Sequence, residues 1–204
     1  MGFKDLIEIV DYKRKLMHFF MGISFVYVMH SEIDFIKYKL ELIMAALLLF
    51  TLALSLIAKS LRPKPLMDIL KHFDKPEDLK VFPAKGAVYY LIGALITILL
   101  FDRDIASASI LILAVGDPLA HVFGMYYGKT KLLINDKKVL EGTLAGTFFA
   151  TIAASFIVPF PISFFGAAFG MIAEAFELEF LNLDDNFFIP VVAGFVMQWV
   201  TVLL

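Results

Sequence analysis

"ILAVGDPLAHVFGMYYGK", residues Ile112 to Lys129, is almost wholly apolar, yet it carries Asp117, Pro118 and His121. A carboxylate at membrane depth costs about 2.5–3.5 kcal/mol even on translocon-based scales, so a chain keeps one only where it is covered and used. Drawn as a helix, the stretch puts Asp117, His121, Gly124 and Gly128 on one face and Leu119, Val122, Phe123 and Tyr126 on the other. Gly116-Asp117-Pro118 predicts a break at which Asp117 caps a helix beginning with proline. The expectation is a kinked or discontinuous span, of the kind that builds binding sites inside membranes. His121, a single imidazole on its turn, is read as a supporting residue.

Working outward, the rest of the chain shares this apolar character. Of its 204 residues 60% are hydrophobic, 22 are Phe, only 19% are charged, and the mean hydropathy is +0.83. These values lie outside the range of soluble domains and predict an all-α, polytopic membrane protein of one domain, 1–204. Seven spans are expected, near 16–31, 40–58, 85–101, 105–128, 141–158, 161–178 and 187–204. With no cysteine, disulfides and thiolate metal sites are excluded.

Charge sets the orientation. If the N-terminus is cytoplasmic, 15 of the 18 Lys and Arg residues fall on that side, leaving Lys37, Lys39 and Arg103 opposite. Residues 1–15, with Phe3, Leu6, Ile7 and Val10, predict a short amphipathic surface helix. The connection 59–85 holds four of the eight prolines. Its segment between Pro65 and Pro76 fits either an interfacial helix or a solvated linker.

Polar groups gather toward one end of the predicted bundle. The first span brings Arg14, His18 and Gly22 on one face. The fifth opens with "KKVLEGTLAG", placing Lys137, Lys138, Glu141 and Thr143 at its mouth. The sixth carries Gly166, Gly170, Glu174 and Glu177 on one face, the glycines suiting internal packing or self-association. The loop "LNLDDNFFIP" adds Asp184, Asp185 and Asn186. Carboxylates and an Asn are hard ligands suited to Mg²⁺ carrying nucleotide phosphates, and Lys129, Lys131, Lys137 and Lys138 supply charge for phosphate oxygens. The set therefore predicts phosphoryl or nucleotidyl transfer onto a lipid headgroup or amphipathic alcohol.

"RKLMHFFMG", "GDPLAHVFGMYYGK", "KKVLEGTLAG" and "EAFE" followed by "DDNFFIPVVAG" together resemble, in order, the polyprenol kinase family, which includes dolichol kinases, phytol kinases and a CTP-dependent diacylglycerol kinase. The resemblance covers residues 13 to 195. It implies transfer of a nucleotide γ-phosphate, typically from CTP with Mg²⁺, to the hydroxyl of a membrane-embedded lipid alcohol on the cytoplasmic side. Carried over by position, it implies catalytic roles for Asp117, Glu174 and His18. Lys129, Lys137, Lys138, Glu141, Gly142 and Thr143 would bind nucleotide, and Asp117, Glu174, Asp185 and Asn186 would hold metal. Lys137-Lys138-Val139 departs from relatives that carry Ser or Thr in that segment.

Phosphatidate cytidylyltransferases resemble the middle signature as well, which makes a CDP-lipid synthase the alternative. Their C-terminal motif, rich in His, Gly, Asp and Arg, is absent, since no Arg follows Arg103 and no His follows His121. A transporter using intramembrane acids is a second alternative. It would need polar groups across the whole membrane, whereas the outer half of each predicted span is nearly free of charge. No nucleic-acid partner is expected.

Overall fold

The computed structural model describes residues 3–31, 39–133, 135–176 and 184–204, with side chains from residue 9 onward. Glu177, Lys37 and the side chains of Phe3, Leu6 and Ile7 lie outside these described residues. Among the described residues the architecture is all-α apart from one small hairpin. Helices run as α1 (Phe3–His30), α2 (Leu40–Leu61), α3 (Lys64–Leu70), α4 (Asp78–Val81), α5 (Lys85–Leu100) and α6 (Arg103–Leu111). A π-turn (Ile112–Gly116) leads into α7 (Asp117–Tyr127), followed by strands β1 (Lys131–Leu132) and β2 (Asn135–Val139), and then α8 (Leu140–Ser155), α9 (Phe160–Phe176) and α10 (Asp185–Leu203).

Three of these helical stretches, Leu40–Leu61, Arg103–Tyr127 and Asp185–Leu203, are long and apolar enough to cross a membrane, and Lys85–Leu100 and Phe160–Phe176 are shorter apolar helices. The stretch through α6, the π-turn and α7 forms the axis of the bundle. Its most apolar window is 67% buried, against 17% for α2, which presents most of its leucines outward. Ala106, Ala108, Ile110, Ile112 and Ala114 are fully enclosed by α1, α8, α9 and α10.

The predicted break at Asp117 takes a different form. Asp117 has helical torsions (φ −62°, ψ −48°) and caps nothing with its side chain, so the helix passes through it without interruption. Pro118 offers no N–H to the carbonyl four residues back, and its ring crowds that turn. The wide π-turn just before it absorbs the mismatch, a feature that recurs at functional sites. Residues 3–15 are continuous with the rest of α1 rather than the separate surface helix expected, and Arg14, Lys15 and His18 of that helix are buried.

Glycines let the central helices touch. A Cβ on Gly142 of α8 would stand 2.6 Å from the Ala120 carbonyl oxygen, and one on Gly166 would meet Met197 at 2.4 Å. Gly166 and Gly170 therefore serve internal packing against α10 and the π-turn. Gly142→Ala pushes a methyl into backbone that cannot swing away, whereas at Gly124 the nearest atom is a Val139 methyl at 3.0 Å. Thermal unfolding in detergent should show Gly142→Ala destabilised by about 1–3 kcal/mol more than Gly124→Ala.

The 59–85 connection contains the short helices α3 and α4, and Asp74 ties it down. Its buried carboxylate accepts a hydrogen bond from the Ala84 N–H, and Ala84 adopts a left-handed conformation (φ 60°). Burial pushes the Asp74 carboxyl up to about 6. Between about pH 4 and 6 the folded chain thus holds a proton that the unfolded chain has released, so this group's contribution to stability falls as pH rises through that window. Asp74→Asn keeps the acceptor without the charge. Its stability relative to the parent should improve by about 1–3 kcal/mol between pH 4.5 and pH 7, read from paired melting curves.

Candidate functional site: an acid and lysine cavity

At one end of the bundle, α1, α7, β2, α8, α9 and α10 enclose a cavity of about 310 Å³. Its charged lining comes from distant parts of the chain: Asp11, Arg14 and Lys15 from α1, Lys75 from the connection, Lys137 and Lys138 from β2, and Glu174 and Asp185 from α9 and α10. Carboxylate oxygens of Asp117, Glu174 and Asp185 lie within 4.8 Å of one another. Asp117 and Glu174 are almost fully buried, at 2% and 3% exposed. Three acids at this separation repel unless cations stand among them, and two lysines do. Lys15 pairs with Asp117, while Lys138 pairs with Glu174 and lies 3.9 Å from Asp185.

The hairpin aims Lys138. Asn135 donates its amide to the Ala175 carbonyl at 3.2 Å, fastening β2 to the end of α9 beside Glu174. At the other end of the hairpin, Glu141 accepts from the backbone N–H groups of Lys129 and Thr130 at 3.1 Å and from the Thr130 hydroxyl at 2.9 Å. Burial works against the Lys138 ammonium, but Glu174 and Asp185 outweigh it and hold its pKa above the ordinary lysine value.

Several predicted site residues thus converge. Lys137, Lys138, Gly142, Thr143, Glu174 and Asp185 line the cavity, with Asp117 behind Lys15. Others stand apart. Glu141 faces the hairpin and braces it, and Lys129 contributes its backbone N–H to that brace rather than lining the cavity. Asn186 gives its side-chain amide and its backbone N–H to Asp184, forming the N-terminal cap of α10. Burial and the adjacent Asp185 push the Asp184 carboxyl upward. His18 does not line the cavity; it packs on Tyr90 with ring centroids 4.7 Å apart, and neither ring nitrogen has a partner among the described residues.

Sequence reasoning missed Asp11, Lys15 and Lys75 as site residues. Lys15 was legible only as one of four basic residues ahead of an apolar run, where topology alone accounts for it. Lys75 follows Asp74, whose tie to Ala84 brings it over the cavity. His121, expected as a supporting residue, stands at the cavity itself, and its Nε2 has no partner among the described residues.

Fold and site together define an all-α protein with membrane-length apolar helices and, at one end, a cavity where a cluster of carboxylates meets several lysines. Among known proteins, the chain is 39% identical over 120 residues to an uncharacterized protein of Methanocaldococcus jannaschii, covering 56% of this chain and 58% of that one. It is 33% identical over 126 residues to the CTP-dependent diacylglycerol kinase 1 of Schizosaccharomyces pombe (53% and 57%). With the CTP-dependent diacylglycerol kinase 1 of Eremothecium gossypii it shares 25% identity over 225 aligned positions (96% and 69%). The first two matches thus span somewhat under three fifths of those relatives. No family model and no solved structure matches the chain.

Proposed function

We propose that this chain is a CTP-dependent lipid kinase, moving the γ-phosphate of CTP to the hydroxyl of a membrane alcohol such as a polyprenol, another isoprenoid alcohol or a diacylglycerol. The cluster of Asp117, Glu174 and Asp185 beside a lysine-lined cavity carries the reading, and similarity to two proteins named for CTP-dependent lipid phosphorylation supports it. Seven spans with a cytoplasmic N-terminus and active site complete the proposal, resting on the 15 to 3 charge asymmetry.

In this reading Asp117, Glu174 and Asp185 hold Mg²⁺, for which three hard oxygen donors within 4.8 Å are suited. Bound there, Mg²⁺ would offset charge on the phosphate oxygens. Lys138, Lys137 and Lys75 face the phosphates from β2 and the connection, and Thr143 borders the same space. The acceptor oxygen attacks the γ-phosphorus, the bond to the β–γ bridging oxygen breaks, and CDP leaves. The hydroxyl proton passes to His121 Nε2 or to a carboxylate of the cluster. Phosphoryl transfer asks mainly for positioning and charge stabilisation, which suits a site made of fixed charges. His18, buried behind Arg14 and outside the cavity lining, is a positioning residue that packs α1 on α5.

Incubating purified protein with Mg²⁺, each of the four nucleoside triphosphates and a panel of lipid alcohols tests this directly. CDP and a phosphorylated lipid, formed fastest with CTP, are expected. Pyrophosphate formed from CTP and a lipid phosphate would establish the CDP-lipid synthase instead.

A further inference from the structure

We propose that the β1–β2 hairpin is a membrane-interface anchor: Leu133 at its tip enters the lipid, and Lys129 and Lys131 bind the phosphates of the phospholipid headgroups around it. The proposal rests on the membrane-spanning reading of the helices and is independent of the kinase reading.

The tip is built unlike a turn that faces water. Leu133 is fully exposed, the most open large apolar side chain among the described residues, and it follows the half-buried Leu132. Turns in water favour Gly, Asn and Asp, which meet the torsional demands of the turn and keep its polar groups solvated. Lys129 and Lys131 stand exposed just before the tip, against one exposed acid, Asp136, just after it, while Lys137 lines the cavity. Apolar side chains flanked by long basic ones suit the boundary between acyl chains and headgroups, with the ammonium groups reaching back to phosphate.

The attachments of the hairpin fix its level. α7 closes the membrane-length stretch Arg103–Tyr127, and its last residues, Tyr126 and Tyr127, are exposed. Gly128 then turns the chain so close to the Gly124 carbonyl that no side chain fits there, and Glu141 holds the backbone of Lys129 and Thr130 against the start of α8. On the other side Leu132 pairs with Asn135, whose amide reaches the Ala175 carbonyl at the end of α9, beside the exposed Phe176. One residue beyond Leu132, and one strand spacing plus one side chain from Ala175, Leu133 lies within about 15 Å of that helix end. Tyr12 of α1, next to the cavity-lining Asp11, is exposed at the same end of the bundle. Aromatic side chains gather at the level of a membrane interface, and here three helices carry them at the hairpin's end. Because β2 also brings Lys138 to Glu174, the anchor ties the rim of the cavity to the leaflet.

The chain contains no cysteine, so a single introduced one takes a nitroxide label alone. Labels at Leu133→Cys, at Asp136→Cys on β2 and at Leu49→Cys on the outward face of α2 would be compared in nanodiscs of phosphatidylcholine mixed with phosphatidylserine. Electron paramagnetic resonance then reads collisions with oxygen, which concentrates in hydrocarbon, and with a water-soluble nickel chelate. The Leu133 label should be at least threefold less open to nickel than the Asp136 label and more open than the Leu49 label. Adding Lys129→Gln and Lys131→Gln, which leaves the Lys129 N–H on Glu141 in place, should raise nickel access at Leu133 at least threefold. Equal nickel access at Leu133 and Asp136, with Leu49 shielded, would overturn the anchor and leave the membrane spans standing. Access at Leu133 unchanged by the lysine substitutions would overturn the headgroup contacts. A Leu49 label as open as that at Asp136 would overturn the membrane-spanning reading and the anchor with it.

Discussion

Asp117→Asn is expected to lower phosphate transfer at least a thousandfold, the largest loss for a single side chain in this protein. The substitution keeps shape and removes charge. It takes one of three carboxylates from a group whose oxygens lie within 4.8 Å, and it strands the buried ammonium of Lys15. A thousandfold corresponds to about 4 kcal/mol of transition-state stabilisation. Breaking one side of a buried pair also costs about 3–5 kcal/mol of stability, so lost activity could reflect a damaged fold. Adding Lys15→Met separates the two effects. The double variant removes both charges and should recover most of the melting temperature without recovering activity. If Asp117→Asn kept more than a tenth of the parent rate, Asp117 would have no place in the chemistry.

Much of this could be read from the chain because the bilayer makes polar residues informative. Asp117 and Glu174 stand in apolar runs where nothing else accounts for them, and both are buried side by side at the cavity. The same contrast fails nearer the ends of the predicted spans, where charge is expected. Lys15 and Lys75 looked like topology signals, and only their tertiary partners distinguish them. Glu141 is a related case. It was expected at the mouth of the fifth span with Lys137, Lys138 and Thr143, and the two lysines stand on β2 while Glu141 lies in the first turn of α8. Its carboxylate therefore turns back to the backbone of Lys129 and Thr130. The hairpin itself has only two residues in its first strand and no alternating apolar pattern to announce it.

The π-turn shows a different limit. Gly116-Asp117-Pro118 marked the right place, but the sequence signals for a cap and for a proline tolerated within a helix overlap. Packing decided between them. A true break would expose backbone groups in the most enclosed part of the bundle, where Ile112 and Ala114 are wholly buried.

Lys138→Met is expected to change the affinities for metal and nucleotide in opposite directions. The Lys138 ammonium contacts the Glu174 carboxylate and approaches that of Asp185, oxygens that a divalent cation would also use. Ammonium and cation therefore compete for them. At an effective dielectric near 20, two unit charges about 4 Å apart interact by about 4 kcal/mol. Solvent and the remaining Lys15 reduce that figure, yet even about 1.4 kcal/mol is tenfold in binding. Without nucleotide, Mn²⁺ titrated by electron paramagnetic resonance should bind Lys138→Met at least tenfold more tightly than the parent. The KM for CTP should rise at least tenfold, because the phosphates lose the ammonium that β2 holds against the acid cluster. A variant damaged in its fold would lose affinity for both ligands. Opposite shifts would identify Lys138 as the group that passes between carboxylates and phosphate, whereas weakened Mn²⁺ binding would make it a prop that holds Glu174 and Asp185 in place.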